Sequence, residues 1–180
     1  KEVRIALVGK YVRLPDAYKS IIESLIHASA YNDRKLKLDL LLSDDITEEN
    51  VEATLKGYDG VLIAPGFGER GIEGKIISAR YTRENNIPTL GICYGMQVMA
   101  IEFARNVLGY QDANSFEFDP VSKHCVIHFM AHQSDDIEKG GTMRLGAYPC
   151  KVARDSNLYA AYGQELIYER HRHRYEFNNS

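Results

Sequence analysis

The chain has 180 residues, of which 44% are hydrophobic and 26% charged, and a formal net charge of −3. This is the make-up of one globular domain with room for a sizeable core. It argues against nucleic acid as a partner, and no apolar run approaches the roughly 18 residues of a membrane span. Three cysteines cannot close a complete disulfide framework, which points to a reducing, cytoplasmic setting. Lys1-Glu2-Val3-Arg4 leads straight into a strand pattern, so no signal peptide is expected.

Residues 3–8, with Ile5, Leu7 and Val8, read as a buried strand ending at Gly9. Asp16 is the predicted N-cap of a helix whose apolar positions Tyr18, Ile21, Ile22, Leu25 and Ile26 repeat at helical spacing. A second strand is predicted over 36–42 and a short helix over 47–56, acidic in its first turn. Gly60-Val61-Leu62-Ile63-Ala64 is a third strand, halted by Pro65-Gly66. A helix over 71–84, a fourth strand over 90–92 and a helix over 96–108 follow. Alternating strands and helices with short connections imply a doubly wound, mostly parallel α/β sheet with helices on both faces. Ligands of such folds sit beyond the carboxyl ends of the strands, where Gly66 and Cys93 both fall. Beyond Gly109, short strands over 126–129, 142–145 and 166–175 suggest a small antiparallel extension.

Gly91-Ile92-Cys93-Tyr94-Gly95-Met96-Gln97 lies at the fourth strand-to-helix junction. An isolated cysteine is usually a small core hydrophobe. Here the flanking glycines give it the pattern of a nucleophile elbow, whose tight turn admits only small neighbours. A helix N-terminus favours the thiolate, and the Tyr94 N–H is placed to stabilise an oxyanion. The chemistry indicated is acyl transfer through a thioester. Ala64-Pro65-Gly66-Phe67-Gly68-Glu69-Arg70-Gly71 is a glycine-rich loop after the neighbouring strand, and the Gly66 N–H is the candidate second oxyanion donor. Cys125 and Cys150 have strand surroundings and no elbow, and read as structural.

In Glu169-Arg170-His171-Arg172-His173-Arg174-Tyr175-Glu176, strand alternation turns the arginines one way and the histidines the other. Such a basic stripe is commonly a solvated face, and its functional options are a carboxylate, a phosphate or nucleic acid. The acidic neighbours Glu165, Glu169 and Glu176 disfavour nucleic acid. His171 and His173 invite a metal reading, but no carboxylate or cysteine completes a ligand set by spacing, so no metal site is expected. His27, His124, His128 and His132 carry no pattern.

The strand, glycine loop and Gly-x-Cys-x-Gly-x-Gln elbow resemble the class I, or triad, glutamine amidotransferases, with their flavodoxin-like fold. Within that class, several segments resemble the CTP synthase family. They are the opening 5–11, Gly68 through Lys75, Asp112 through Phe118, Gly140-Gly141-Thr142-Met143-Arg144-Leu145-Gly146 and the Arg-His-Arg-His-Arg-Tyr run. The resemblance covers essentially the whole chain. It implies a glutaminase domain that releases ammonia from L-glutamine for ATP-dependent amination of UTP to CTP. Carried over by motif, Cys93 is the nucleophile, and Gly66 binds the oxyanion and glutamine. Tyr94, Gly95, Met96 and Gln97 line the glutamine pocket, Glu117 receives the α-ammonium, and Arg174 receives the α-carboxylate. A free amino acid needs one anionic and one cationic receptor, and arginine's planar fork suits a carboxylate. The resemblance further implies no cofactor in this domain. ATP, Mg2+ and a GTP effector belong to the complete enzyme, with a covalently linked synthetase domain and a homo-tetramer.

Three departures from the family pattern stand out. The family reads Pro-Gly-Gly-Phe-Gly where this chain has Ala64-Pro65-Gly66-Phe67-Gly68, so Pro65 removes one backbone donor. Tyr94 replaces a leucine but keeps its N–H. The family's His-Pro-Glu segment, which completes the triad, lies beyond the point at which the sequence given ends, Ser180, and the expectation is that it follows there. The alternatives are a pseudo-glutaminase with a regulatory or assembly role, or another triad cysteine hydrolase.

Overall fold

The strand at Gly60–Ile63 is a continuous apolar run, buried throughout, because both of its faces are covered. The computed structural model describes residues 1–14, 16–129 and 144–179. Two compact units are present: Lys1–His128 with Phe177–Ser180, and Phe129–Glu176. In the first unit, β1 (Glu2–Gly9), β2 (Lys35–Leu42), β3 (Gly60–Ile63) and β4 (Thr89–Gly91) form a parallel sheet in the order β2-β1-β3-β4. This is the order of a doubly wound sheet with a switch point beside its first strand.

Alternation along the strands supplies two cores. Ala6, Val8, Val61 and Ile63 face one way and pack with Val51 and Leu55 of α2 (Val51–Leu55) and Ala79 of α3 (Ile72–Glu84); Met99 of α4 (Tyr94–Asn106) adds to that core. Leu7 and Leu62 face the other way, against Ile21, Ile22 and Leu25 of α1 (Lys19–Tyr31). Fully burying each such aliphatic side chain stabilises the fold by about 1.5–3 kcal/mol. Helices thus lie on both faces, as the sequence predicts. Arg83 of α3 pairs with the buried Glu102 of α4 at 2.8 Å, tying together the two helices that flank the end of β4.

Several boundaries differ from the sequence reading, and three of these differences have a clear local reason. Asp16 does not cap α1. The helix begins at Lys19, after Tyr18, which is drawn into the core, and its hydroxyl accepts the Tyr11 N–H at 3.2 Å. The helix predicted over 47–56 shortens to Val51–Leu55. Asn50 is the reason: its Oδ1 accepts the Thr47 N–H and its Nδ2 donates to the Asp45 carbonyl, a side-chain turn that competes with helix. The strand predicted over 166–175 is two strands, β8 (Leu166–His173) and β9 (Tyr175–Phe177), broken at Arg174.

After α4, β5 (Asn114–Ser115) pairs in parallel, not antiparallel, with β6 (Cys125–Phe129). The antiparallel extension is in the second unit, where β7 (Arg144–Lys151) pairs with β8 from Arg144↔His173 to Lys151↔Leu166. The strand predicted over 142–145 thus runs on to Lys151, while Gly140, Gly141, Thr142, Met143 and His132 lie outside the described residues. The short helix α5 (Asn157–Tyr162) is capped by the Ser156 hydroxyl, which accepts the Tyr159 N–H at 3.1 Å. Among the described residues, no helix is long and apolar enough to cross a membrane.

Candidate active site

The ends of β3 and β4 lie side by side, with Ile63 opposite Gly91. The Ile92 N–H donates to the Ile63 carbonyl at 3.1 Å, and the Gly95 N–H closes the turn onto the Ile92 carbonyl at 2.9 Å. Between them Cys93 is held at φ 55°, ψ −110°, directly before α4. A non-glycine residue pays for that conformation in strain, which persists only where the surroundings enforce it. They do so here. A Cβ on Gly95 would sit 2.0 Å from the Ile63 carbonyl oxygen, and one on Gly91 would sit 2.6 Å from the Gly95 carbonyl carbon. Both glycines are required by close approach, as the elbow pattern predicts.

The thiol does not behave as the helix position alone suggests. Cys93 is half-buried, and burial raises its pKa above the ordinary thiol value; the Tyr94 N–H and the Lys75 charge oppose that rise without cancelling it. The helix N-terminus favours the thiolate, as the sequence indicates, but it is not the largest influence on this thiol. Desolvation outweighs the backbone dipoles.

Beneath the glycine loop lie two lysines that sequence reasoning did not single out. Lys75 of α3 is fully buried, and its Nζ donates to the Ala64 carbonyl at 2.7 Å. The same Nζ stands 5.0 Å from the centre of the Tyr94 ring. Burial, and then the nearby Lys10 charge, lower the Lys75 pKa to about 8. Lys10 is also buried and donates to the Gly68 carbonyl at 3.1 Å. Burial and then Arg70 lower its pKa. Gly66 is buried against both, since a Cβ there would lie 3.0 Å from Lys10 Cε and 3.5 Å from Lys75 Nζ. The signal that marks Lys75 in the sequence is its place on the apolar stripe of α3, three residues after Ile72 and next to Ile76.

Among the described residues, neither the Gly66 nor the Tyr94 N–H is given to a backbone carbonyl. Buried backbone donors without a carbonyl partner, beside two buried cations, favour a developing negative charge. The Phe118 ring meets the Tyr94 ring edge-on at 5.9 Å, and the Glu117 carboxylate acts electrostatically on both Lys10 and Tyr94. The Tyr94 hydroxyl is buried with no hydrogen-bond partner among the described residues. Burial pushes its pKa upward. The fold thus gathers Gly66, Cys93, Tyr94, Gly95, Gln97 and the 116–118 loop in the first unit. Gln97 is buried on α4, with its N–H on the Cys93 carbonyl at 3.2 Å, and Met96 is half-buried beside it.

Arg174 belongs to the second unit. Its guanidinium lies 5.1 Å over the Phe129 ring, and its Nε is buried with no hydrogen-bond partner among the described residues. In the same unit His171, His173 and Glu176 place one ligand-type atom each within 4.8 Å of one another. This corrects the sequence reading that no carboxylate joins the two histidines. The strand break at Arg174 brings Glu176 round to them, a convergence invisible to strand periodicity.

The family model for class I glutamine amidotransferases matches residues 13–180. The chain belongs to the class I glutamine amidotransferases. Within that family it is 62% identical over 177 residues to a CTP synthase of Bacteroides fragilis, covering 98% of this chain and 33% of that protein. It is 57% identical over 179 residues to the CTP synthase of Clostridium kluyveri, covering 99% and 33% respectively. This amidotransferase chain therefore spans about a third of the length of the curated relatives it matches. A solved structure, the Trypanosoma brucei CTP synthase glutaminase domain with bound acivicin, superposes with a TM-score of 0.87 at 40% identity. That match covers 98% of this chain and 68% of the other. The mostly parallel sheet and its helices are thus those of the CTP synthase glutaminase domain.

Proposed function

We propose that this chain is the glutamine-hydrolysing part of a CTP synthase, working through a thioester on Cys93. The observation that carries the reading is the strained Cys93 elbow, set beside two backbone donors without carbonyl partners. The Cys93 sulfur attacks the side-chain carbonyl of L-glutamine. A C–S bond forms, the C–N bond breaks, and ammonia leaves with the thiol proton. Water then attacks the thioester, giving glutamate and the free thiol. The Gly66 and Tyr94 N–H groups hold the oxyanion of both steps, a role in which one donor is worth about 3 kcal/mol.

A thiol whose pKa is raised needs a base. We assign that role to the histidine of the family's His-Pro-Glu segment, which follows the Arg-His-Arg-His-Arg-Tyr motif in the family order. Glu117 takes the α-ammonium of glutamine. Arg174 takes the α-carboxylate, an assignment that rests on its motif and on its buried Nε, which has no partner among the described residues. Gln97, Met96 and Gly95 line the side-chain pocket. In the complete protein the ammonia passes to a linked synthetase domain that uses ATP, Mg2+ and UTP, with GTP as effector, in a homo-tetramer in the cytoplasm.

The test compares glutamine-dependent with ammonia-dependent CTP formation in the complete protein. Cys93→Ala should abolish the first and leave the second nearly intact, because free ammonia bypasses the thioester. Equal loss of both activities would refute the assignment. Acivicin, which is bound in the Trypanosoma brucei structure, is a natural probe to test against Cys93.

A further inference from the structure

We infer that His171, His173 and Glu176 form a binding site for one divalent transition-metal ion of the zinc class, within the second unit. His173 is buried, and its Nδ1 pairs with the Tyr175 carbonyl oxygen at 2.8 Å. A carbonyl only accepts, so Nδ1 carries a proton, and in the neutral ring Nε2 is the lone-pair nitrogen. That Nε2 faces His171 Nδ1 at 2.7 Å and Glu176 Oε1 at 3.5 Å. With the ring neutral, this lone pair and the carboxylate oxygen repel until a proton or a metal ion lies between them. In the metal-free protein the His171 Nδ1–H relieves part of this by donating to His173.

The geometry suits an ion. Ligand bonds of about 2.0–2.2 Å at tetrahedral angles separate donor atoms by about 3.3–3.6 Å. The 3.5 Å separation lies within that range, and the 2.7 Å separation of the two imidazoles lies below it, so the rings must part to admit an ion. Two imidazoles and one carboxylate, with a fourth position for water, are a recurrent zinc donor set. Nitrogen ligands favour Zn2+, Co2+ and Ni2+ over Mg2+ and Ca2+. The Tyr175 carbonyl holds His173 in the ligating tautomer, as outer partners of metal-bound histidines do. Strand alternation turns Arg170 and Arg172 of β8 to the face opposite His171 and His173, so their charges point away from the donors. The ion ties β8 to β9 across the break at Arg174.

The experiment uses Co2+ added to the purified, chelator-stripped protein. Imidazole and carboxylate ligation gives visible d–d bands, whereas a thiolate adds near-ultraviolet charge transfer and so would report Cys93, Cys125 or Cys150. The expected result is one equivalent bound, no charge-transfer band, displacement by Zn2+, and a weakening of at least about tenfold in both His171→Gln and Glu176→Gln. Both variants spare the buried His173, and circular dichroism checks their fold. Asp112→Asn, which alters another histidine–carboxylate pair among the described residues, should leave Co2+ affinity unchanged. Absence of saturable binding, a thiolate band, unchanged affinity in either site variant, or a loss in Asp112→Asn would each overturn the inference.

Discussion

Lys75 offers the sharpest physical test of the site, because its burial has a pH signature. Its Nζ is fully buried, is bonded to the Ala64 carbonyl, and has a pKa of about 8 against an ordinary 10.5. Between those two values the unfolded chain holds a proton that the folded chain has released. Stability therefore rises with pH across this window, and the burial penalty is at full size below pH 8. At about 1.4 kcal/mol per pH unit, that penalty is about 3 kcal/mol. Lys75→Met keeps the length of the side chain and removes the charge, but it leaves the Ala64 carbonyl unpaired, a loss of about 1–3 kcal/mol. At pH 7 the variant should thus lie between unchanged and about 2 kcal/mol more stable. The difference between the two proteins should then shift by about 3 kcal/mol in favour of wild type from pH 8 to 10.5. Urea unfolding at intervals across this range measures it, and tyrosines and other lysines cancel in the difference. Parallel wild-type and variant curves would refute the claim that Lys75 is buried as a depressed base.

An electrophilic glutamine analogue should label Cys93 ahead of Cys125 and Cys150 by peptide mapping; prior labelling of either other cysteine would contradict the elbow. Because burial raises the Cys93 pKa, the labelling rate of the protein with its family base segment removed should climb with pH beyond the ordinary thiol range. Arg174→Ala should cut glutamine-dependent CTP formation by about 2–5 kcal/mol of transition-state free energy and spare the ammonia-dependent reaction, with both rates read side by side. Gly95→Ala should destabilise the fold by at least about 2 kcal/mol, since its Cβ would meet the Ile63 carbonyl at 2.0 Å. In a melting comparison Gly109→Ala, with open space and only a φ of +81°, should lose about 1 kcal/mol. Asp112 is held at about 2 by the His124 ring. Its contribution is complete above pH 3.8 and lost as pH falls toward 2, so acid-unfolding curves of wild type and Asp112→Asn should converge there.

What the sequence made legible is what local sterics decide. The elbow could be read because a cysteine at positive φ needs small residues on both sides, and Gly91 and Gly95 supply them at the only spacing that works. The parallel sheet could be read because β1, β3 and β4 contain short apolar runs punctuated by Gly9, Gly60 and Gly91, while the edge strand β2 carries a lysine–leucine alternation. The start of α1 could not, because Tyr18 is fixed by the Tyr11 N–H and by the core, a tertiary demand that the Asp16 cap signal does not reflect. The shortening of α2 follows from the Asn50 side chain, whose competition with helix is plain only once Thr47 and Asp45 are seen around it. Glu176 was missed because strand alternation assumes an unbroken strand, and Arg174 breaks it.

The thiol shows where residue-by-residue reading fails most instructively. A helix N-terminus lowers a cysteine pKa and burial raises it, and the sequence reports the first effect but not the second. With both in place, burial pushes the Cys93 thiol up in a strained turn, near Lys75, whose own charge, like that of Lys10, is disfavoured by burial. Each of these groups is poorly solvated while the site rests, and a negative charge forming above the glycine loop would be met by donors and cations already in place. Lys75 gains most from such a charge, because its protonated form is the one that burial penalises. On the proposed thioester reading, these groups would serve the oxyanion more than the thiolate, which is the property expected of a site complementary to the acyl-transfer intermediate.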